Sequence, residues 1–248
     1  MKLVIIAAGK SSRLRTQTGN TPKTLLPVHG KPMIEYLLDH CVQAGVEDVL
    51  VVTGYQSDIL EREVRGLNKG LSIRFVFNPR WELPNGLSVL VTKPLIPEGE
   101  NFLISMSDHM YDRSILERVM DSSLATTTAN VGLDFNLERV LDMADAMKVR
   151  VHPSRRLRIL EMGKDLKDYD AVDCGVFKCR HDFFMALEAA EEQGHCSLSN
   201  ACSALISEGK MGGVDIDGDF WIDVDTPSAL RYCIENHHIW SGASIELD

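Results

Sequence analysis

The chain has 248 residues, 44% of them apolar and 25% charged, and a formal net charge of −10. That is enough chain for a sizeable core, as one α/β domain or two small ones, with the composition of an ordinary globular protein. The acidic balance argues against a general nucleic-acid binder, which needs a basic face for phosphates, and no run approaches the roughly 20 apolar residues of a membrane span.

The six cysteines are Cys41, Cys174, Cys179, Cys196, Cys202 and Cys233, and none forms a C-x-x-C pair. This argues against a zinc site and for reduced, packed thiols of a cytoplasmic protein. The N-terminal apolar run is too short for a signal-peptide core.

In chain order, Leu3 to Ala8 reads as a buried strand that stops at Gly9 and runs into Lys10-Ser11-Ser12-Arg13. Positions 1 to 34 hold six Lys or Arg residues and no acid, which leaves 20 basic against 36 acidic residues for the rest of the chain. An acidic protein that opens with an all-basic strand-to-loop turn predicts an anion pocket. Gly9-Lys10-Ser11 mimics the end of a P-loop, but Val4 stands where that motif needs glycine, and one glycine is too few for a dinucleotide fingerprint. An ordinary tight turn after the strand is the competing reading.

Pro32 to Ala44 reads as a helix stopped by Gly45, Val49 to Val52 as a strand, Ser57 to Val64 as a helix, and Ile73 to Phe77 as a strand. Strand, helix, strand at this spacing predicts parallel βαβ units. Trp81 to Gly86 reads as a loop, Ser88 to Pro94 as a helix, Asn101 to Met106 as a strand ending on Ser107-Asp108-His109, and Ser114 to Met120 as a helix capped by Ser114.

The second half changes character. Thr126 to Asp134, Met147 to Val151, Leu157 to Met162 and Ala171 to Lys178 read as strands, partly antiparallel, broken by turns such as His152-Pro153-Ser154. Phe183 to Gln193 and Leu198 to Glu208 are helical, and Met211 to Ile216 is extended. Trp221 to Thr226 reads as a loop, and Pro227 opens a last helix to about Glu235. His237-His238 reads as exposed. The expected architecture is a single α/β domain with a Rossmann-like, mostly parallel mixed sheet flanked by helices. Residues 1 to 125 form its first half and 126 to 248 its second.

Two stretches together are more specific than either alone. A-A-G-x-x-x-R-L from Ala7, followed by P-K-x-L-L-P-V at Pro22 to Val28, resembles the sugar-nucleotidyltransferase (nucleoside-triphosphate transferase) superfamily. In that family the first loop wraps a triphosphate. The resemblance implies a nucleotide site at Ala7, Ala8, Gly9 and Lys10, phosphate contacts from Arg13 and Lys23 as the catalytic cations, and a base-recognising loop at Asn85, Gly86 and Ser88. Asp108 would bind metal beside the nucleotide. Trp221 to Pro227 resembles W-x-D-x-G-T-P, with Asp225 where glycine is commoner. Asp223 and Asp225 are thus both candidates for the second metal ligand, and the metal implied is Mg²⁺.

A narrower resemblance rests on Lys148-Val149-Arg150-Val151, Gly163-Lys164-Asp165-Leu166, Val172-Asp173-Cys174-Gly175-Val176-Phe177 and the Trp221 stretch, in that order. This set is similar to archaeal-type CTP:inositol-1-phosphate cytidylyltransferases, which also carry an S-D-H- or G-D-H-type motif. It implies an acceptor site at Lys148, Lys164, Asp173 and Gly175. In that subfamily a membrane synthase domain is often fused behind the cytidylyltransferase, and these 248 residues hold no such segment. His109, next to a metal acid, reads as a supporting residue rather than a ligand.

The implied reaction joins a phosphomonoester, inositol 1-phosphate, to CTP and releases pyrophosphate. Its nucleophile is already an anion near neutral pH, which fits the absence of any Ser-His-Asp or Cys-His arrangement. The expected partners are therefore two small-molecule substrates, with neither nucleic acid nor membrane, and the oligomeric state, a homodimer included, stays open. A thymidylyl-, uridylyl- or guanylyltransferase for a hexose 1-phosphate keeps the same reaction with other substrates. A non-catalytic nucleotide-binding regulatory module is the alternative from another class, and the acids and lysines weigh against it.

Overall fold

The structure is a computed structural model that describes residues 1–10, 12–14, 19, 21–67, 69–153 and 157–236, apart from the side chain at position 12. Ser11, Ser154, His237 and His238, named above, lie outside the described residues or side chains.

Four strands of the first half run parallel. β1 (Lys2–Ile6) is hydrogen-bonded to β4 (Asp48–Thr53) on one side and to β6 (Asn101–Met106) on the other, and β5 (Ser72–Phe77) pairs with β4 at the edge. Short strands β2 (Pro27–Val28) and β3 (Lys31–Pro32) form a hairpin the sequence reading lacks. Their prolines disguise them, and the ladder is only two residues long. The helices are α1 (Met33–Gln43), α2 (Ser57–Gly66), α3 (Gly86–Leu90) and α4 (Arg113–Asp121).

Central position explains the continuous apolar run of β1. Val4 and Ile6 face one core while Leu3 and Ile5 face the other, so both faces of the strand are buried. Each such side chain stabilises the fold by about 1.5–3 kcal/mol. α1, α2 and α4 cover the Leu3 face. α3, together with α5 (Phe183–Glu192) and α6 (Leu198–Ser207), covers the Val4 face. This is the expected mixed, mostly parallel sheet between helix layers.

The second half extends the same sheet with mostly antiparallel pairing. β8 (Ala129–Asp134), β9 (Lys148–Val151), β10 (Ile159–Gly163), β11 (Ala171–Arg180) and β12 (Met211–Asp215) complete nine strands, and β11 joins the halves by pairing with β6. Of these, β12 alone runs parallel to its neighbour β8 among the described residues. β11 also pairs with β8, and that register shifts between Asp173 and Phe177. Gly175 sits inside the shift with φ 78°, a left-handed conformation that favours glycine.

Three expectations are corrected. Trp221–Asp223 is a strand, β13, not a loop; it pairs antiparallel with β7 (His109–Tyr111). Its shortness and the acids after it read as a turn, and only the partner strand makes it extended. The helix after β7 starts at Arg113, and the flanking residue is Asp112, whose carboxylate accepts the Phe220 N–H at 2.8 Å, rather than Ser114. The helix over Ser88 to Pro94 is a short α3 followed by a separate turn at Lys93–Leu95. The last helix, α7 (Pro227–Glu235), begins where expected and is capped by Thr226, whose Oγ1 accepts the Ala229 N–H at 3.1 Å. Among the described residues no helix is long and apolar enough to cross a membrane.

Candidate active site

Asp108 lies two residues past the end of β6, at the carboxyl edge of the parallel strands, where ligands bind in open α/β sheets. Asp223 is more than a hundred residues away in sequence. The β7–β13 ladder brings it back, pairing Asp223 with His109, and the Val224 N–H donates to the Asp108 carbonyl at 2.9 Å. A small apolar cluster that includes Leu14, Leu26, Met110, Ile222 and Cys233 anchors this hairpin to the N-terminal segment and α7.

The same packing carries Lys23 into the acids. Its side chain is 4% exposed, its Nζ donates to Asp108 Oδ2 at 2.7 Å, and it is also paired with Asp225. Two prolines, Pro22 and Pro27, bracket the short turn that aims it. Asp225 uses its other oxygen on Arg13, and Arg13 Nη1 is 2.6 Å from Asp145 Oδ2. Asp145 is in turn paired with Lys164 from β10's end. One chain of ion pairs therefore runs from Asp108 through Lys23, Asp225, Arg13 and Asp145 to Lys164, across the junction of the two halves.

Burial works against the charged forms of Lys23, Asp108, Asp223 and Asp173, and their neighbours oppose or reinforce it. For Lys23, burial would lower the ammonium's pKa, but Asp108, Asp225 and Asp223 outweigh it and the pKa is raised. Asp108 is held down to about 2 despite its burial, by Lys23 and His109. Asp223 goes the other way, pushed up to about 7 by burial and by the like charges of Asp108 and Asp225. Burial also pushes Asp173 up to about 6, although its Oδ1 accepts the Gly175 N–H at 2.8 Å.

Asp108 Oδ1 and Asp223 Oδ1 are buried with no hydrogen-bond partner. Buried carboxylate oxygens without donors are costly, and two of them in one corner are the hard donors that Mg²⁺ or a similar cation takes. The residues present therefore fit a divalent cation, held by Asp108 and Asp223. Asp225 pairs with Lys23 and Arg13, and with Asp145 and Asp223 it forms a second acidic group whose oxygens are close enough to share a cation.

A cavity of about 770 Å³ opens beside these acids. Arg13, Asn85, Asp108, Asp223 and Asp225 line it, as do Lys164, Asp173 and Gly175 of the second half. Other expected site residues lie elsewhere. Ala7 and Ala8 are buried at the end of β1, while Gly9 and Lys10 are exposed. Lys10 lies 5.7 Å from the centre of the Tyr55 ring. Asn85 Oδ1 accepts the Leu198 N–H at 3.0 Å, capping α6. A Cβ on Gly86 would come within 2.7 Å of the Cys196 carbonyl oxygen, so glycine permits the close approach of α3 to the segment before α6. Ser88 is buried, accepting from Asn78 Nδ2 at 3.0 Å. Lys148 donates to the carbonyls of Ala146, at 3.4 Å, and Lys164, at 2.5 Å. It ties the segment before β9 to the end of β10.

Asp145 escaped the sequence reading. It sits in the acidic turn Asp142 to Ala146, which has no periodicity, and only its ion pairs to Arg13 and Lys164 mark it.

Bifunctional IPC transferase and DIPP synthase from Rubrobacter xylanophilus is 32% identical over 247 residues, 96% of this chain and 52% of the relative. The protein of the same name from Archaeoglobus fulgidus is 29% identical over 232 residues, covering 93% and 42%. Bifunctional protein GlmU from Methanococcus maripaludis is 28% identical over 230 residues, 92% and 52%. The chain thus spans about half the length of the curated relatives it matches. The inositol-1-phosphate CTP transferase structure from T. maritima has a TM-score of 0.81 at 24% identity, covering 95% of this chain and 96% of that one. A putative glucose-1-phosphate thymidylyltransferase from Bacillus anthracis has a TM-score of 0.79 at 18% identity, covering 95% and 94%. These two establish a shared fold. Residues 3–169 match the model of the MobA-like NTP transferase domain, and the chain belongs to that family of nucleotidyltransferases.

Proposed function

We propose that the chain transfers the cytidylyl group of CTP to inositol 1-phosphate, releasing pyrophosphate, with residues 1–125 of one nucleotidyltransferase domain holding the nucleotide and 126–248 the acceptor. The carrying observation is the run of ion pairs from Asp108 to Lys164, which gathers the cations of both halves at one cavity. The names of the IPC transferase relatives and of the T. maritima structure support the choice of substrates.

A phosphate oxygen of the acceptor attacks the α-phosphorus in line as the pyrophosphate oxygen leaves. The nucleophile is an anion already, so no side chain need remove a proton. The work is to align two polyanions and to offset the charge that develops between them. On this reading Arg13, which lines the cavity, and Lys23, buried behind it on Asp108 and Asp225, meet the triphosphate, and Lys164, with Asp173, the acceptor. These cations are paired with Asp108, Asp145 and Asp225. Substrate binding exchanges those carboxylates for phosphates. A divalent cation on Asp108 and Asp223 would supply charge neutralisation of phosphate oxygens. Asn85 keeps its Nδ2 donors for a pyrimidine edge, since only its Oδ1 is committed to α6.

The test is pyrophosphate release with each nucleoside triphosphate, Mg²⁺ and a panel of phosphomonoesters. Turnover is expected with CTP and inositol 1-phosphate. Turnover confined to dTTP and glucose 1-phosphate would sink the inositol assignment in favour of a sugar thymidylyltransferase. Tight triphosphate binding with no turnover on any acceptor would leave a regulatory nucleotide-binding module.

A further inference from the structure

His109 stands between the two acids, and its surroundings fix which nitrogen it offers. Its Nδ1 lies 2.7 Å from the Cys174 carbonyl oxygen, an acceptor, so Nδ1 carries the proton and donates. Nε2 then points the other way, 3.9 Å from Asp108 Oδ1 and 3.9 Å from Asp223 Oδ2. The side chain is 11% exposed, so little water reaches it.

The ring is clamped. The Trp221 ring centre lies 5.6 Å from that of His109, tilted by 32°. Against the Nδ1 edge lies Gly175, where an added Cβ would be 2.4 Å from Nδ1. The register shift in β11 aims the Cys174 carbonyl at the ring, and β7–β13 pairing sets His109 opposite Asp223. The bond from Lys23 goes to the other oxygen of Asp108, Oδ2. Asp108 Oδ1 is left buried without a donor, as is Asp223 Oδ1. An imidazole facing two carboxylates needs positive charge on that side, its own second proton or a shared cation, and at 3.9 Å neither carboxylate oxygen is within hydrogen-bond reach of Nε2. Two donors each roughly 2.1 Å from one ion can be up to about 4.2 Å apart, so the 3.9 Å separations are within the span of a single ion.

We propose that His109 Nε2 is a direct third ligand, with Asp108 and Asp223, to the divalent cation of this site, and that this nitrogen donor tilts the site's preference from Mg²⁺ toward Mn²⁺ and Co²⁺. Mg²⁺ takes oxygen donors and keeps its waters, whereas imidazole suits the later first-row ions. The Cys174 carbonyl is the outer partner that sets the tautomer and orientation, as metal-bound histidines require. The proposal rests on the reading of Asp108 and Asp223 as metal-holding acids.

The experiment uses the full chain loaded with Mn²⁺ alone, without nucleotide or acceptor. Pulsed electron paramagnetic resonance is recorded on protein at natural abundance and on protein labelled with ¹⁵N-histidine. A directly bound imidazole gives a nitrogen coupling that changes with the label, and His109→Gln is expected to abolish it. Competition titration is expected to show Mn²⁺ favoured over Mg²⁺, with the ratio at least about tenfold lower in His109→Gln. Bound Mn²⁺ without nitrogen coupling in the wild-type protein overturns the role of His109 and leaves the two acids standing. Failure of Mn²⁺ to bind at all overturns the metal-site reading with it. The isotope comparison needs no variant, so a His109→Gln protein that fails to fold does not block the test.

Discussion

The two halves of the sheet deliver functional side chains in different ways. In the first half, β1 and β6 run parallel, and the chain leaves each at the same edge; Arg13 and Asp108 follow those strands. In the second half the strands that carry site residues, β9, β10 and β11, pair antiparallel, and the groups that line the cavity come from within or between them. Asp173 and Gly175 sit at a register shift inside β11, Lys164 follows β10, and Asp145 precedes β9. A parallel half gathers its site by topology, since all its strands end at one edge. An antiparallel half must use local distortions of the ladder, and its site is correspondingly more exposed to single substitutions there.

Substitutions at the junction should have the largest effect. Lys23→Ala and Asp108→Ala are each expected to lower turnover at least about a hundredfold, the scale of one charge-stabilising group, while melting curves stay cooperative. Near-normal turnover in either folded variant would remove that residue from the mechanism. Next comes the antiparallel half alone. Gly175→Ala combines left-handed backbone with a Cβ 2.4 Å from His109, so a loss of about 2 kcal/mol or more is expected in urea unfolding. A loss no larger than for Gly9→Ala, where a Cβ meets nothing within 4 Å, would show that the bulge relaxes freely.

Asp145→Asn separates the halves more gently. It releases Arg13 and Lys164 from one shared anion, and we expect KM for the phosphomonoester to fall about fivefold with kcat within about twofold. A raised KM would mean that Asp145 positions the two cations instead of competing with substrate. The smallest effect belongs to the parallel half away from the junction. Ser88→Ala removes the acceptor of the buried Asn78 amide, at an expected cost of about 1 kcal/mol in stability. A large loss of CTP affinity without loss of stability would instead restore Ser88 to the nucleotide site.

What the amino-acid sequence determined by itself was set by local physics. Apolar period and turn residues marked β1, α1, β4, α2 and β5, because a centrally buried parallel strand must be apolar on both faces and its helix must repeat at three and four. The basic N-terminal segment stood out by its charge in an acidic chain, whereas Asp108, Asp223 and Asp225 were marked only by the resemblance of their stretches to a family's motifs. Only tertiary structure decided the rest. β13 is extended because β7 pairs with it, Asn85 spends its Oδ1 on α6, Ser88 is buried against Asn78, and Lys148 is drawn to backbone carbonyls. Asp145 and the aim of His109 depend on groups brought from distant parts of the chain, Arg13 and Lys164 in one case, Cys174 and Asp223 in the other. A residue's type states what chemistry it can do. Its partners, whose positions depend on how the whole chain packs, decide whether that capacity is spent on holding the fold or left pointing into the cavity.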